Sequence, residues 1–273
     1  MPDNLRILPE QKEINMTTQR ERADIFQNLH VKGNPLILFN IWDAGSAKAI
    51  EEVGAKAIAT GSWSVAAANG FDDGQKLPFE FALANLERIV GSVRMPVTID
   101  LEGGYATDNS ELKENIKKVI AAGAVGINFE DQIVGGEGLY TVEEQCVRIE
   151  AIREAVEQAS MPFFINARTD VFLKTYPAKH DEAQLDEAIR RAAAYARAGA
   201  SGFFAPGLRD TELIKKLCEL SPLAVNIMVL PDTPPPGELA KLRVARISYG
   251  PGPYRQMTEA LKKAGRKAFS ELS

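Results

Sequence analysis

Val97-Thr98-Ile99-Asp100-Leu101-Glu102-Gly103-Gly104-Tyr105 joins an apolar run to two carboxylates, a glycine pair and a tyrosine. The run follows Met95-Pro96 and reads as a buried strand, and such a strand has little reason to end in acids. Side chains alternate along a strand, so Asp100 and Glu102 share one side of the sheet if the extended conformation continues through them. Two carboxylates held together repel, and one takes up a proton unless a cation neutralises the pair. A plainer account is a strand running into a solvated polar turn. Repetition decides between them, because strand, charged tip and helix recur along the chain.

Outward from this stretch, apolar runs at 36–41, 57–61, 125–129, 163–168, 202–205, 223–227 and 244–248 read as further strands, with helical periodicity between them. A leading helix is expected over 18–30 with Thr18 as its cap, a long loop carrying Ser62, Trp63, Asn69, Gly70, Asp72, Asp73 and Gly74 follows the second strand, and a closing helix runs from 253 onward. Three helices lead into Gly54-Ala55, Ala122-Gly123-Ala124 and Ala198-Gly199-Ala200, where glycine supplies the left-handed conformation that ends a helix. Strands separated by helices imply a parallel sheet covered on its outer face. The expectation is a flexible arm over 1–17 and a single α/β domain over 18–273, a closed (β/α)8 barrel of the TIM type. No Gly-x-Gly-x-x-Gly follows the first strand, which weakens a dinucleotide-binding alternative.

The 273 residues carry a formal net charge of -5, which argues against a nucleic-acid surface. No apolar run reaches the roughly 18 residues of a membrane span, and the first residues lack the apolar core of a secretory leader. A cytoplasmic protein with neither nucleic-acid nor membrane partners is expected. Cys146 and Cys218 stand alone in helical segments and read as packing residues. His30 and His180 read as structural or solvated.

In such a barrel the active site lies at the C-terminal ends of the strands. Asn40 and Asp43, Gly61-Ser62-Trp63, Asp100 and Glu102, Glu130 and Asp131, Arg168 and Asp170, and Asn226 fall there. Carboxylates without histidine or cysteine suit a hard cation, and Mg²⁺ fits because it needs few direct protein ligands; Mn²⁺ is the substitute. Arg168 would grip a substrate carboxylate through its planar fork, or else form a structural ion pair with Asp170 or Glu130.

The segments Asn40-Ile41-Trp42-Asp43-Ala44-Gly45-Ser46-Ala47, Gly61 to Leu77, Asp100 to Tyr105, Phe129-Glu130-Asp131-Gln132 and Asn166-Ala167-Arg168-Thr169-Asp170 resemble the isocitrate lyase and phosphoenolpyruvate mutase superfamily. The likeness spans roughly residues 20 to 260 and includes 2-methylisocitrate lyases and carboxyvinyl-carboxyphosphonate phosphorylmutases. It implies Mg²⁺ held by Asp100, Glu102 and Glu130, partly through water. It also implies that Gly61, Ser62, Trp63 and Arg168 hold a 2-oxo carboxylate, that Asp73 acts near the metal, and that Asn226 reaches the far carboxylate. One departure is plain. Lyases of this superfamily carry Lys-Lys-Cys-Gly-His or Lys-Arg-Cys-Gly-His after the fourth strand, and the mutases and phosphonopyruvate hydrolases carry an asparagine- or threonine-containing loop there. This chain has Ile133-Val134-Gly135-Gly136-Glu137-Gly138-Leu139-Tyr140.

Glu137 and Tyr140 then become the loop's candidates for proton transfer, if its glycines let it close. The expected activity is a Mg²⁺-dependent lyase on a small 2-oxo or 2-hydroxy di- or tricarboxylate. The alternatives are phosphorus–carbon chemistry on phosphonopyruvate and a catalytically weak binder of 2-oxo acids. The resemblance also implies a homotetramer in which terminal helices pack across subunits; the apolar face of Tyr254, Met257, Leu261 and Phe269 could instead cover its own barrel.

Overall fold

In a computed structural model, residues 17–271 are described, so the arm expected over 1–17 lies outside them apart from Thr17. Eight short strands alternate with helices. The strands are β1 (Leu36–Leu38), β2 (Ile58–Ala59), β3 (Val97–Asp100), β4 (Gly126–Glu130), β5 (Phe164–Arg168), β6 (Gly202–Phe204), β7 (Ala224–Met228) and β8 (Arg246–Ser248). The helices are α1 (Gln19–Asn28), α2 (Ala44–Glu52), α3 (Ser62–Ala68), α4 (Phe79–Ser92), α5 (Asn109–Ala121), α6 (Val142–Gln158), α7 (Glu182–Arg197), α8 (Thr211–Leu220), α9 (Pro236–Lys241) and α10 (Gly252–Ser270).

All strand pairs are parallel and sequential neighbours, and β1 pairs with β8. Between β1 and β2 the ring is completed by a parallel bridge of Ile41 to Thr60. There the Ile41 amide donates to the Ala59 carbonyl at 2.9 Å and the Gly61 amide to the Ile41 carbonyl at 3.2 Å. This is the (β/α)8 barrel that the strand count implied. Its main core lies between strands and helices, where Ile99, Ile127, Ile165, Phe203 and Ile247 meet apolar faces such as Leu112, Ile116 and Ile149.

The leading helix has a positional task. Thr18 and Glu21 form a reciprocal capping box that starts α1, and α1 then lies across the base of the barrel with Ala23 and Phe26 packed on Leu36, Leu38, Val125 and Phe164. Phe26 meets Phe164 edge-on at 5.5 Å, and the His30 ring stacks on Phe164 at 3.9 Å. The base of the barrel is therefore plugged by side chains.

Three local expectations need correction. Asp43 does not join the acidic ring: its carboxylate accepts from the Ser46 amide at 2.7 Å and caps α2. The loop expected from Ser62 onward begins as helix α3, because Val65, Ala66 and Leu77 share a small apolar cluster beneath Trp42 and Tyr105. The glycine-rich segment after β4 is a folded hairpin, with Gln132 bridged to Leu139 and the Ile133 amide donating to the Gly138 carbonyl at 3.2 Å. Gly135 and Gly138, at φ 76° and 78°, supply its left-handed turns.

The closing helix leaves a barrel face open. Among its buried residues α10 has only Pro253, while Met257, Leu261 and Phe269 are exposed. On the barrel wall, Ile37 of β1 is 41% exposed and borders an apolar hollow of about 540 Å³ with Leu29, Val31, Phe39 and Val53.

Candidate active site

Period-two alternation sends three residues of β5 and of β4 into the interior. From base to mouth these are Phe164, Asn166 and Arg168, paired in register with Gly126, Asn128 and Glu130. At the mouth, Arg168 NH1 meets Glu130 Oε2 at 2.7 Å. Its Nε and NH2 reach the two oxygens of Asp170 at 2.6 and 2.9 Å. Both structural ion pairs that the sequence allowed are thus present, and one guanidinium is shared by two carboxylates.

Asp100 ends β3. Its Oδ2 accepts from the Ser62 amide at 3.1 Å and the Ser62 hydroxyl at 2.9 Å, so α3 is tethered to β3 by that acid. Its Oδ1 is buried without a partner. The extended conformation stops here, because Glu102 is left-handed at φ 51°. Its Oε2 accepts from the Gln75 amide at 2.8 Å. With its side-chain amide turned oxygen-inward, Gln75 accepts from the amides of Gly103, Gly104 and Tyr105 at 3.0, 3.2 and 2.9 Å. Gln75 and Tyr105 are left-handed as well, at φ 58° and 55°. Three such non-glycine residues cost on the order of 1 kcal/mol each, and they lock the loop carrying Asp73 against the tip of β3.

A cavity of about 170 Å³ opens at this end, lined by Ser62, Trp63, Asp73, Asp100, Asn128 and Arg168 among others. Gly61 also lines it, with its amide already spent on barrel closure. Glu102 borders the adjoining recess with Tyr105, and Glu130 is 4% exposed behind Arg168. Burial pushes Glu102 up to about 8, helped by the charges of Asp73 and Asp100. Burial and then Asp100 also raise Asp73, and burial raises Glu130 against the pull of Arg168.

Four expected participants lie elsewhere. Asn226 does not line the cavity; it is fully buried and exchanges hydrogen bonds with the Ser248 hydroxyl at 3.1 and 3.2 Å. Glu137 is exposed at the hairpin tip. Tyr140 lies over the Arg148 guanidinium at 4.6 Å and borders a separate hollow of about 280 Å³. Asp131 turns away into a buried pair, bonding Arg191 at 3.0 Å, the Tyr195 hydroxyl at 2.9 Å and the Asp170 amide at 2.9 Å. Two interior residues passed unnoticed in sequence: Asn128, two places before Glu130 on the same face, and Arg246, first residue of β8. Each breaks an apolar strand at an inward position, which was the available signal.

The donor set suits a hard divalent cation. It consists of carboxylate oxygens, one buried and unpartnered, in a pocket where the acids raise one another. Among the described residues no three His, Cys, Asp or Glu side chains form a ready-made cage.

Comparison with known proteins agrees with this architecture. A family model described as phosphoenolpyruvate phosphomutase matches residues 26–269. A solved Burkholderia cenocepacia J2315 protein, provisionally described as a phosphonomutase, is 48% identical, with a TM-score of 0.90 over 92% of this chain and 99% of its own. The 2-methylisocitrate lyase of Escherichia coli K12 is 27% identical over 245 residues, 86% of this chain and 80% of its own. A phosphonopyruvate hydrolase solved with oxalate and Mg²⁺ shares the fold at TM-score 0.80 and 21% identity, over 92% of this chain and 87% of its own.

Proposed function

The chain belongs to the phosphoenolpyruvate phosphomutase family, a family of lyases and mutases, and from that premise we propose that it is a Mg²⁺-dependent carbon–carbon lyase. Its substrate is a small 2-oxo or 2-hydroxy di- or tricarboxylate, cleaved or decarboxylated through a pyruvate-like enolate. One observation carries the proposal: Asp100, one of whose oxygens is buried without a partner, and Arg168 line the same small cavity.

Asp100, Glu102 and Glu130 would hold the cation, which when bound polarises a 2-oxo carbonyl. Arg168 uses three N–H groups on Glu130 and Asp170. A guanidinium has five, so two remain for the substrate carboxylate and for the oxygen on which charge develops. Asp73 lines the cavity and is raised above an ordinary aspartate by burial, which makes it the carboxyl to deliver a proton to the carbanion carbon. Ser62, both of whose donors face Asp100, holds that ligand in place. Glu137 and Tyr140 serve only if the hairpin unfolds over the mouth.

The relation to a provisionally described phosphonomutase supports a second reading, cleavage or rearrangement of phosphonopyruvate. Incubation with oxaloacetate, 2-methylisocitrate, isocitrate and phosphonopyruvate, with Mg²⁺ or EDTA, followed by proton and phosphorus NMR, separates them. Pyruvate formed only with Mg²⁺, and not by Asp100→Ala, is expected. Phosphate or phosphoenolpyruvate from phosphonopyruvate would move the second reading to first place. The proposal includes a cytoplasmic enzyme and a homo-oligomer in which α10 of a second copy lies in the apolar hollow beside Ile37. In that arrangement the exposed Met257, Leu261 and Phe269 gain cover. Light scattering on a variant lacking 253–273 should then report a smaller particle.

A further inference from the structure

Arg168 and Arg246 both lie inside the barrel, and only the first is neutralised. Arg246 is 1% exposed. It donates to Asn128 Oδ1 at 3.0 Å and, at 3.4 Å, to the Ser248 hydroxyl, neither of them charged, and its NH1 has no partner. A buried guanidinium without a carboxylate is expensive, so its retention asks for a use.

Asn128 supplies one. Its Oδ1 accepts both from Arg246 and from Asn166 Nδ2, the latter at 2.9 Å. Arginine has no lone pair to offer, so the amide cannot be reversed without setting NH₂ against N–H. The donor end of Asn128 is therefore turned from the protein, and the residue lines the same cavity as Asp100 and Arg168.

We infer that Asn128 is a substrate-binding residue, donating from Nδ2 to an oxygen of the 2-oxo acid. Arg246 is its positioning residue and lends positive potential to the cavity floor. The inference rests on reading the cavity as an oxo-acid site. It divides the work between two arginines. Arg168, shared by two acids, orients without adding net positive charge; Arg246, bonded to no carboxylate and feeling only the more distant charge of Asp100, offsets the negative charge that an anionic substrate brings among so many carboxylates.

The test is calorimetric titration of the protein with oxalate in the presence of Mg²⁺, alongside thermal unfolding. Asn128→Asp keeps an acceptor for Arg246 and Asn166, so its melting temperature should hold or rise, while oxalate binding weakens by about tenfold to a hundredfold. Arg246→Gln releases the amide to face either way and should weaken oxalate about tenfold, raising KM for the substrate more than it lowers kcat. Arg246→Lys can only donate, so it should restore most of the loss. The inference is overturned if Asn128→Asp or Arg246→Gln binds oxalate within about twofold of the unaltered protein, or if Arg246→Lys is no better than Arg246→Gln. Failure of the unaltered protein to bind oxalate with Mg²⁺ would remove the oxo-acid reading and this inference together.

Discussion

At the base of β5 Phe164 packs against both Phe26 and the His30 ring; four residues later, at the mouth, Arg168 is clasped by Glu130 and Asp170. Between them Asn166 bonds Asn128. One strand thus passes from an apolar plug through an uncharged polar layer to an ionic rim. The base is held by dispersion and burial, which are tolerant of direction. The mouth is held by charges whose desolvation is offset only while every partner is present. Stability and reactivity are accordingly separated along a single strand.

The sharpest way to break that comparison is Arg168→Met, assayed in EDTA. Glu130 and Asp170 would be left buried without a counter-charge, and urea unfolding should show a loss of about 4 kcal/mol together with loss of turnover. A loss under about 1 kcal/mol would mean that the acids simply protonate and the rim is not ionic in the way described. Phe26→Ala probes the other end. It leaves a void under Phe164 and should cost about 3 kcal/mol, with kcat per folded molecule unchanged because no mouth residue moves. A fall in kcat at full folding would show that plug and mouth are coupled through the middle layer.

The smallest effect is a pH dependence at the base. Burial, then Arg246, depress His30 to about 3, against the bond its Nδ1 makes with the Phe26 carbonyl at 2.8 Å. The unfolded chain, with His30 near its ordinary 6.5, binds the proton first. The associated stability is complete above about pH 6.5 and falls as pH drops from there toward 3. The ring keeps some exposure, so about 1 to 2 kcal/mol should be lost between pH 7 and pH 5. His30→Phe should flatten that part of the urea-midpoint profile, and an unchanged slope would assign the acid sensitivity to the mouth instead.

How much of this was readable in the chain follows from how far each signal reaches. Strand and helix are decided by neighbours a few residues away. Apolar runs at 36–41 and 163–168, the cap at Thr18 and the glycines closing helices were therefore enough to foresee a (β/α)8 barrel and to place Asp100, Glu130 and Arg168 at its mouth. Helix α3 escaped because its reason for forming is a long-range cluster with Leu77 and Ala82. Asp43 and Asp131 looked like rim acids, yet one caps its own helix and the other faces Arg191, 60 residues away. The residues before each strand tip were the least legible. Whether Asn128 points a donor or an acceptor at the cavity depends on Asn166 and Arg246, 38 and 118 residues distant. The order of apolar and polar residues determined that eight strands would close on one another. Which polar groups found partners inside, and which were left facing a ligand, only the closed barrel could decide, because a hydrogen bond is directional and needs both partners brought together, while the apolar pattern that folds the chain is local in sequence and non-directional.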